Sequence, residues 1–97
     1  MRLTDHAMTV AIAVRENVGS DVQGVGPDTA ELVNLTAIKS LEGDEIRSAI
    51  MELERVGLFH VSYCLGAPRP GIPAQLRDIA GVSILERCQQ LLDQLGV

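Results

Sequence analysis

The sequence predicts one small α+β domain, mainly helical, with a single β-hairpin and an amphipathic helix at the C-terminal end. Three observations predict it. Apolar residues recur at helical spacing in four separate segments. One segment, residues 58–65, alternates apolar and polar side chains as a half-buried strand does. Glycines and prolines punctuate the joins between these segments. With 97 residues the chain suits one domain and is too short for two ordinary ones. Apolar residues make up 46% of it and aromatics 2%, namely Phe59 and Tyr63. The core is therefore expected to be aliphatic, and thin, because a domain this small buries only about two-thirds of its unfolded surface.

The first helix is expected over residues 5–18, with Asp5 as its N-cap and Ala7, Met8, Ala11, Ile12, Val14 and Val18 at helical spacing. It is apolar almost all round, as a central helix or one covered by a partner would be. Residues 19–27 hold three glycines and Pro27 and read as a loop, with room for a short strand at residues 22–25. Asp28 and Glu31 have the spacing of a capping box and open a second helix over residues 29–38.

Gly43 interrupts the pattern, and a third helix follows over residues 44–56. Its Ile46, Ala49, Ile50 and Leu53 fall at i, i+3, i+4 and i+7, a buried stripe, and Gly57 closes it. From Leu58 the chain alternates: Phe59, Val61, Tyr63 and Leu65 face one way, and His60, Ser62 and Cys64 the other. Residues 66–71 are dense in turn formers, and Ile72, Ala74 and Leu76 supply a returning strand, so the hairpin spans residues 58–79. Pro73 cannot donate to a ladder and would sit on an outer edge. A competing reading makes residues 73–81 a helix, with Pro73 at its first position and Gly81 as its cap. Ser83 and Glu86 form a second capping-box pattern, opening a last helix over residues 83–95. Its Leu85, Cys88, Leu92 and Leu95, widened by Ile84 and Leu91, make a stripe that docks on the chain's own core or on a second chain.

The run from Ala30 to Thr36, and above all Asp44 to Phe59 with its Ile-x-x-Ala-Ile-x-x-Leu-Glu-x-x-Gly-Leu spacing, resembles the winged helix-turn-helix superfamily. The C-terminal part looks like the MarR and PadR groups: Leu76 where a wing strand ends, Gly81, and the apolar stripe from Ile84 to Leu95. The resemblance covers most of the chain, and its motifs are generic. It implies a homodimeric DNA-binding regulator of transcription. The helix over residues 44–56 would point Arg47, Ser48, Met51 and Arg55 at the major groove, with Lys39 nearby and Arg69 in the wing. The dimer seam would be Ile84, Leu85, Cys88, Leu91, Leu92 and Leu95. The sequence departs from that pattern in two ways. The turn over residues 39–43 is longer than in most DNA readers. The third helix carries Asp44, Glu45, Glu52 and Glu54 against Arg47 and Arg55.

Charge bears on the partner. Eight basic residues stand against thirteen acidic ones, for a net charge of −5. Duplex affinity comes from neutralising phosphates, so this balance counts against nucleic acid unless the basic residues cluster. The alternative is an acidic winged-helix module that binds another protein. In that case Arg47, Ser48, Met51 and Arg55 form a solvated helix face, with Met51 packing on Arg55 and Arg47 relieving Glu54. Cys64 and Cys88 are expected to be reduced thiols, and no Cys-x-x-Cys or His-x-x-x-His spacing frames a metal site. His6 and His60 read as ordinary partly buried side chains. No nucleophile–base pair or phosphate-loop motif is present, so neither an enzymatic function nor a cofactor is expected. No apolar run approaches the ~18 residues that cross a bilayer. The N-terminal residues lack the pattern of a secretory leader, which favours a cytoplasmic location.

Overall fold

A computed structural model describes residues 2–18, 28–64 and 70–96. Among them are four α-helices and one two-stranded antiparallel sheet. The elements are α1 (Asp5–Val18), α2 (Thr29–Asn34), α3 (Gly43–Arg55), β1 (Phe59–Tyr63), β2 (Ile79–Ile84) and α4 (Glu86–Leu95), with a 3-10 turn at Ala74–Leu76. The expected strand at residues 22–25 lies outside the described residues, as do Leu65 and most of the turn-rich stretch that follows it.

Helix α1 has its predicted bounds, but its cap is Thr4. The Ala7 amide donates to Thr4 Oγ1 (3.3 Å), and Asp5 is the first helical residue. Ala7, Val10, Ala11, Ala13 and Val14 are buried, and the small alanines let α3 approach closely. Helix α2 is shorter than predicted. Asp28 caps it by accepting from the Glu31 amide (2.8 Å), but Leu35 swings to extended backbone and ends it after Asn34. Asn34 Nδ2 donates back to the Ala30 carbonyl (2.8 Å), and a separate turn over residues 36–40 then buries Ile38. A continued helix would have carried Ile38 out of the core.

Helix α3 starts at Gly43, one residue earlier than expected, with Glu42 as N-cap and the Glu45 carboxylate accepting from the Glu42 amide (2.8 Å). Ile46, Ala49, Ile50 and Leu53 are all buried, as the spacing predicts. Gly57 follows with φ +78°, the left-handed backbone that glycine adopts at no steric cost, and turns the chain into β1.

The returning strand is the main correction. It is not residues 72–76 but Ile79–Ile84, paired Phe59↔Ile84, His60↔Ser83 and Val61↔Val82. Pro73 precedes a single 3-10 turn that buries Leu76, so neither the early strand nor the competing helix over residues 73–81 forms. The later register places Ile79, Val82 and Ile84 inward, a better apolar set than Ile72, Ala74 and Leu76. Ser83 therefore pairs in β2 rather than capping a helix, and α4 begins at Glu86 after Leu85. An isolated antiparallel bridge, Asp28↔Gly81, adds one rung on the far side of β2, where the chain enters α2. Thr29, fully buried, donates its hydroxyl to the Ile79 carbonyl and fastens α2 to the same strand.

Candidate functional site

The exposed side of α3, together with the end of β1 nearest the turn, forms the most differentiated surface among the described residues. Burial of Ile46, Ala49, Ile50 and Leu53 forces Asp44, Ser48, Met51 and Arg55 outward, because they lie on the opposite helix face. Arg47, Ser48, Met51, Glu52 and Arg55 line a shallow open depression there. The sequence placed four of these five on one face, and the structure brings them together.

The flanks of that ridge are tied to neighbouring elements. On the α1 side, Glu52 accepts from the Thr4 amide and hydroxyl, each at 2.9 Å, and Glu45 lies 3.3 Å from His6 Nε2. On the hairpin side, Arg47 is clamped. Its Nη1 donates to Asp78 Oδ1 and to the Gln75 carbonyl, both at 2.7 Å, and its Nη2 donates to Asp78 Oδ2 at 3.2 Å. This fork-shaped pairing is the strong geometry of guanidinium with carboxylate. The hydrogen bond from Arg47 holds the Asp78 carboxyl below its ordinary range, and the same bond raises the Arg47 guanidinium. The expected charge relief of Arg47 by Glu54 is replaced by this contact. The Asp78 carbonyl also accepts from the Cys64 amide (2.8 Å), so one residue fastens the hairpin to itself and to α3.

Tyr63 is where the alternation of β1 fails. The simple period turns it inward with Phe59 and Val61, but it is 51% exposed. The pairing slips beside it: Ser62 faces Gly81 and Tyr63 faces Ile79, so the extra residue, Ala80, stands on β2, and Tyr63 is the last residue of β1. Its hydroxyl donates to Glu54 Oε1 (2.9 Å) and sits 3.8 Å from Met51 Sδ. Partial desolvation, then the bond to Glu54, raises the phenol above its ordinary range. Sequence reasoning missed Tyr63, Glu54 and Asp78. Arg47 and Asp78 are thirty-one positions apart, and no local pattern marks such a pair.

The remaining expected positions scatter. Lys39 is exposed in the turn between α2 and α3, and Arg69 lies outside the described residues. Of the six residues expected at a dimer seam, Ile84, Cys88 and Leu92 are buried in the chain's own core, and Ile84 stands on β2 rather than on the helix. Leu85, Leu91 and Leu95 stay at least partly open, Leu95 at 52% exposure. Leu91 lines a second shallow depression with Leu58, Arg87, Gln90 and Gln94. Both cysteines are free. Cys64 is exposed, and burial pushes the Cys88 thiol up to about 11. No helix among the described residues is long and apolar enough to cross a membrane. Compared with protein-family models, curated proteins and solved structures, the chain gives no match.

Proposed function

We propose that the chain is a winged-helix protein-interaction module whose recognition face is the outer ridge of α3 together with Tyr63. The order of three helices, a hairpin and a last helix supports the winged-helix reading, and the rung at Asp28 adds a third line of backbone to the small sheet. The observation that carries the choice of partner is the clamp on Arg47. The arginine best placed to meet a phosphate has both guanidinium arms on Asp78 and Gln75. The helix end that normally enters a groove presents Glu42, Asp44 and Glu45 instead. Within a Debye length of ~8 Å such carboxylates repel phosphate. Titrating a fluorescent duplex at low salt tests this: no binding below about 100 μM is expected, weaker than ordinary non-specific DNA affinity. Tight, salt-sensitive retardation of the duplex would replace this reading.

A second reading, a DNA-binding regulator, draws on the ridge of exposed Ser48 and Arg55 with half-buried Met51 beside the hairpin. It requires Arg47 to leave Asp78. Under it, Asp78→Asn strengthens duplex binding, whereas Arg47→Ala, Arg55→Ala and Arg69→Ala weaken it and flatten its salt dependence.

A homodimer through α4 belongs to both readings, now with Leu85, Leu91 and Leu95 as the available side chains. Sedimentation of the native chain at two-chain mass, reduced to one by Leu95→Glu, is the expected result. A monomer at micromolar concentration removes the dimer.

A further inference from the structure

The face formed by α3 and Tyr63 has an apolar centre and a charged rim, and the two together specify a partner chemistry. We infer that the segment it binds is a basic amphipathic peptide. One bulky apolar side chain would lie on Met51 and Tyr63, with lysines or arginines opposite the surrounding carboxylates. This rests on the protein-interaction reading above.

Tyr63 is one of two aromatic residues in the chain, and it is the exposed one. The hydrogen bond to Glu54 holds it in place beside Met51. A fixed tyrosine offers contact area at little entropic cost, and tyrosine, methionine and arginine are enriched at the centres of interfaces. Helix α3 carries Asp44, Glu45, Glu52 and Glu54 against Arg47 and Arg55. Arg47 is already matched by Asp78. Glu52 and Glu54 are held by Thr4 and Tyr63 through neutral donors, so these contacts fix their positions without matching them to a cation. A cationic segment gains from that arrangement in both steering and specificity. A second copy docking through the same face would set these carboxylates against their own counterparts, which disfavours self-association there.

The test is a nitrogen-15 NMR titration of the full chain with a synthetic leucine–lysine helical peptide, its leucine–glutamate counterpart and a short mixed-sequence duplex. The lysine peptide is expected to shift the amides of Ser48, Met51, Arg55 and Tyr63, with a Kd below about 1 mM. Tyr63→Ala should weaken it about tenfold, and salt well above about 0.1 M should weaken it further. Glu54→Gln gives the same readout should Tyr63→Ala fail to fold. If the glutamate peptide shifts these amides and the lysine peptide does not, the basic partner is wrong and the module reading survives. If only the duplex shifts them, both fall. Shifts confined to α4, or none from either peptide, overturn the inference.

Discussion

Helices α3 and α4 carry comparable apolar stripes, and the molecule treats them differently. Four residues of α3 are buried, and side chains on both of its flanks are bonded to other elements: Glu52 to Thr4, Glu45 to His6, Arg47 to Asp78 and Glu54 to Tyr63. Helix α4 buries Cys88, Gln89 and Leu92 and is ion-paired to α1 through Asp93 and Arg15. Its Gln89 Nε2 is buried with no hydrogen-bond partner among the described residues, and Leu95 is half exposed. An apolar stripe shows that a helix is covered. How firmly it is held depends on bonds made across elements.

Substitutions can break or sharpen that contrast. The largest effect is expected from Ile50→Ala or Leu53→Ala, each fully buried at the centre of α3. Either should cost about 2–5 kcal/mol by chemical denaturation, because the cavity cannot collapse among neighbours fixed on every side. Leu92→Ala in α4 should cost less than either, since α4 can shift to close the gap. An equal loss would erase the distinction.

Next is Gly43, at the first turn of α3. A Cβ there would lie 3.0 Å from Pro73 Cβ and 2.4 Å from Gln75 Oε1. The exposed Gln75 side chain can swing aside, but Pro73 Cβ cannot, so Gly43→Ala should lose most of the roughly 1 kcal/mol that alanine ordinarily gains over glycine in a helix. Gln75→Ala should recover part of that loss. Gln89→Met runs the other way. Removing a buried amide whose Nε2 has no hydrogen-bond partner among the described residues should raise stability, by as much as about 1–3 kcal/mol of recovered desolvation.

The smallest effects are electrostatic. The Asp78 carboxyl is depressed below 3.8, so its contribution is present above that value and is lost as pH falls through the lower folded one. Native chain and Asp78→Asn should differ in stability at neutral pH and converge in acid. A constant difference down to the acid limb would mean that Asp78 acts without its charge. Cys88 has the opposite sign. Its thiol is raised from 9.0 to about 11, so stability is intact below the lower value and declines as pH rises toward the upper one. At neutral pH an alkylating reagent should label Cys64 and leave Cys88 unmodified until the chain unfolds. Equal labelling would place Cys88 outside the core.

Much of this was legible in the residues. The α3 stripe, the glycine turn into β1 and the bounds of α1 follow from spacing, because helical period and left-handed glycine are local properties. The register of β2 was not legible. Two apolar sets, residues 72–76 and residues 79–84, compete for one strand. The choice falls to whichever fills the space left by α1, α2 and α3, and that is not written in either segment alone. Tyr63 is exposed at the end of β1, where the pairing slips, and the Arg47–Asp78 clamp follows from the path the chain takes into β2. Periodicity within each segment tells which faces are apolar. Which charges meet is set by packing, since an ion pair between distant segments exists only after their backbones have been brought together.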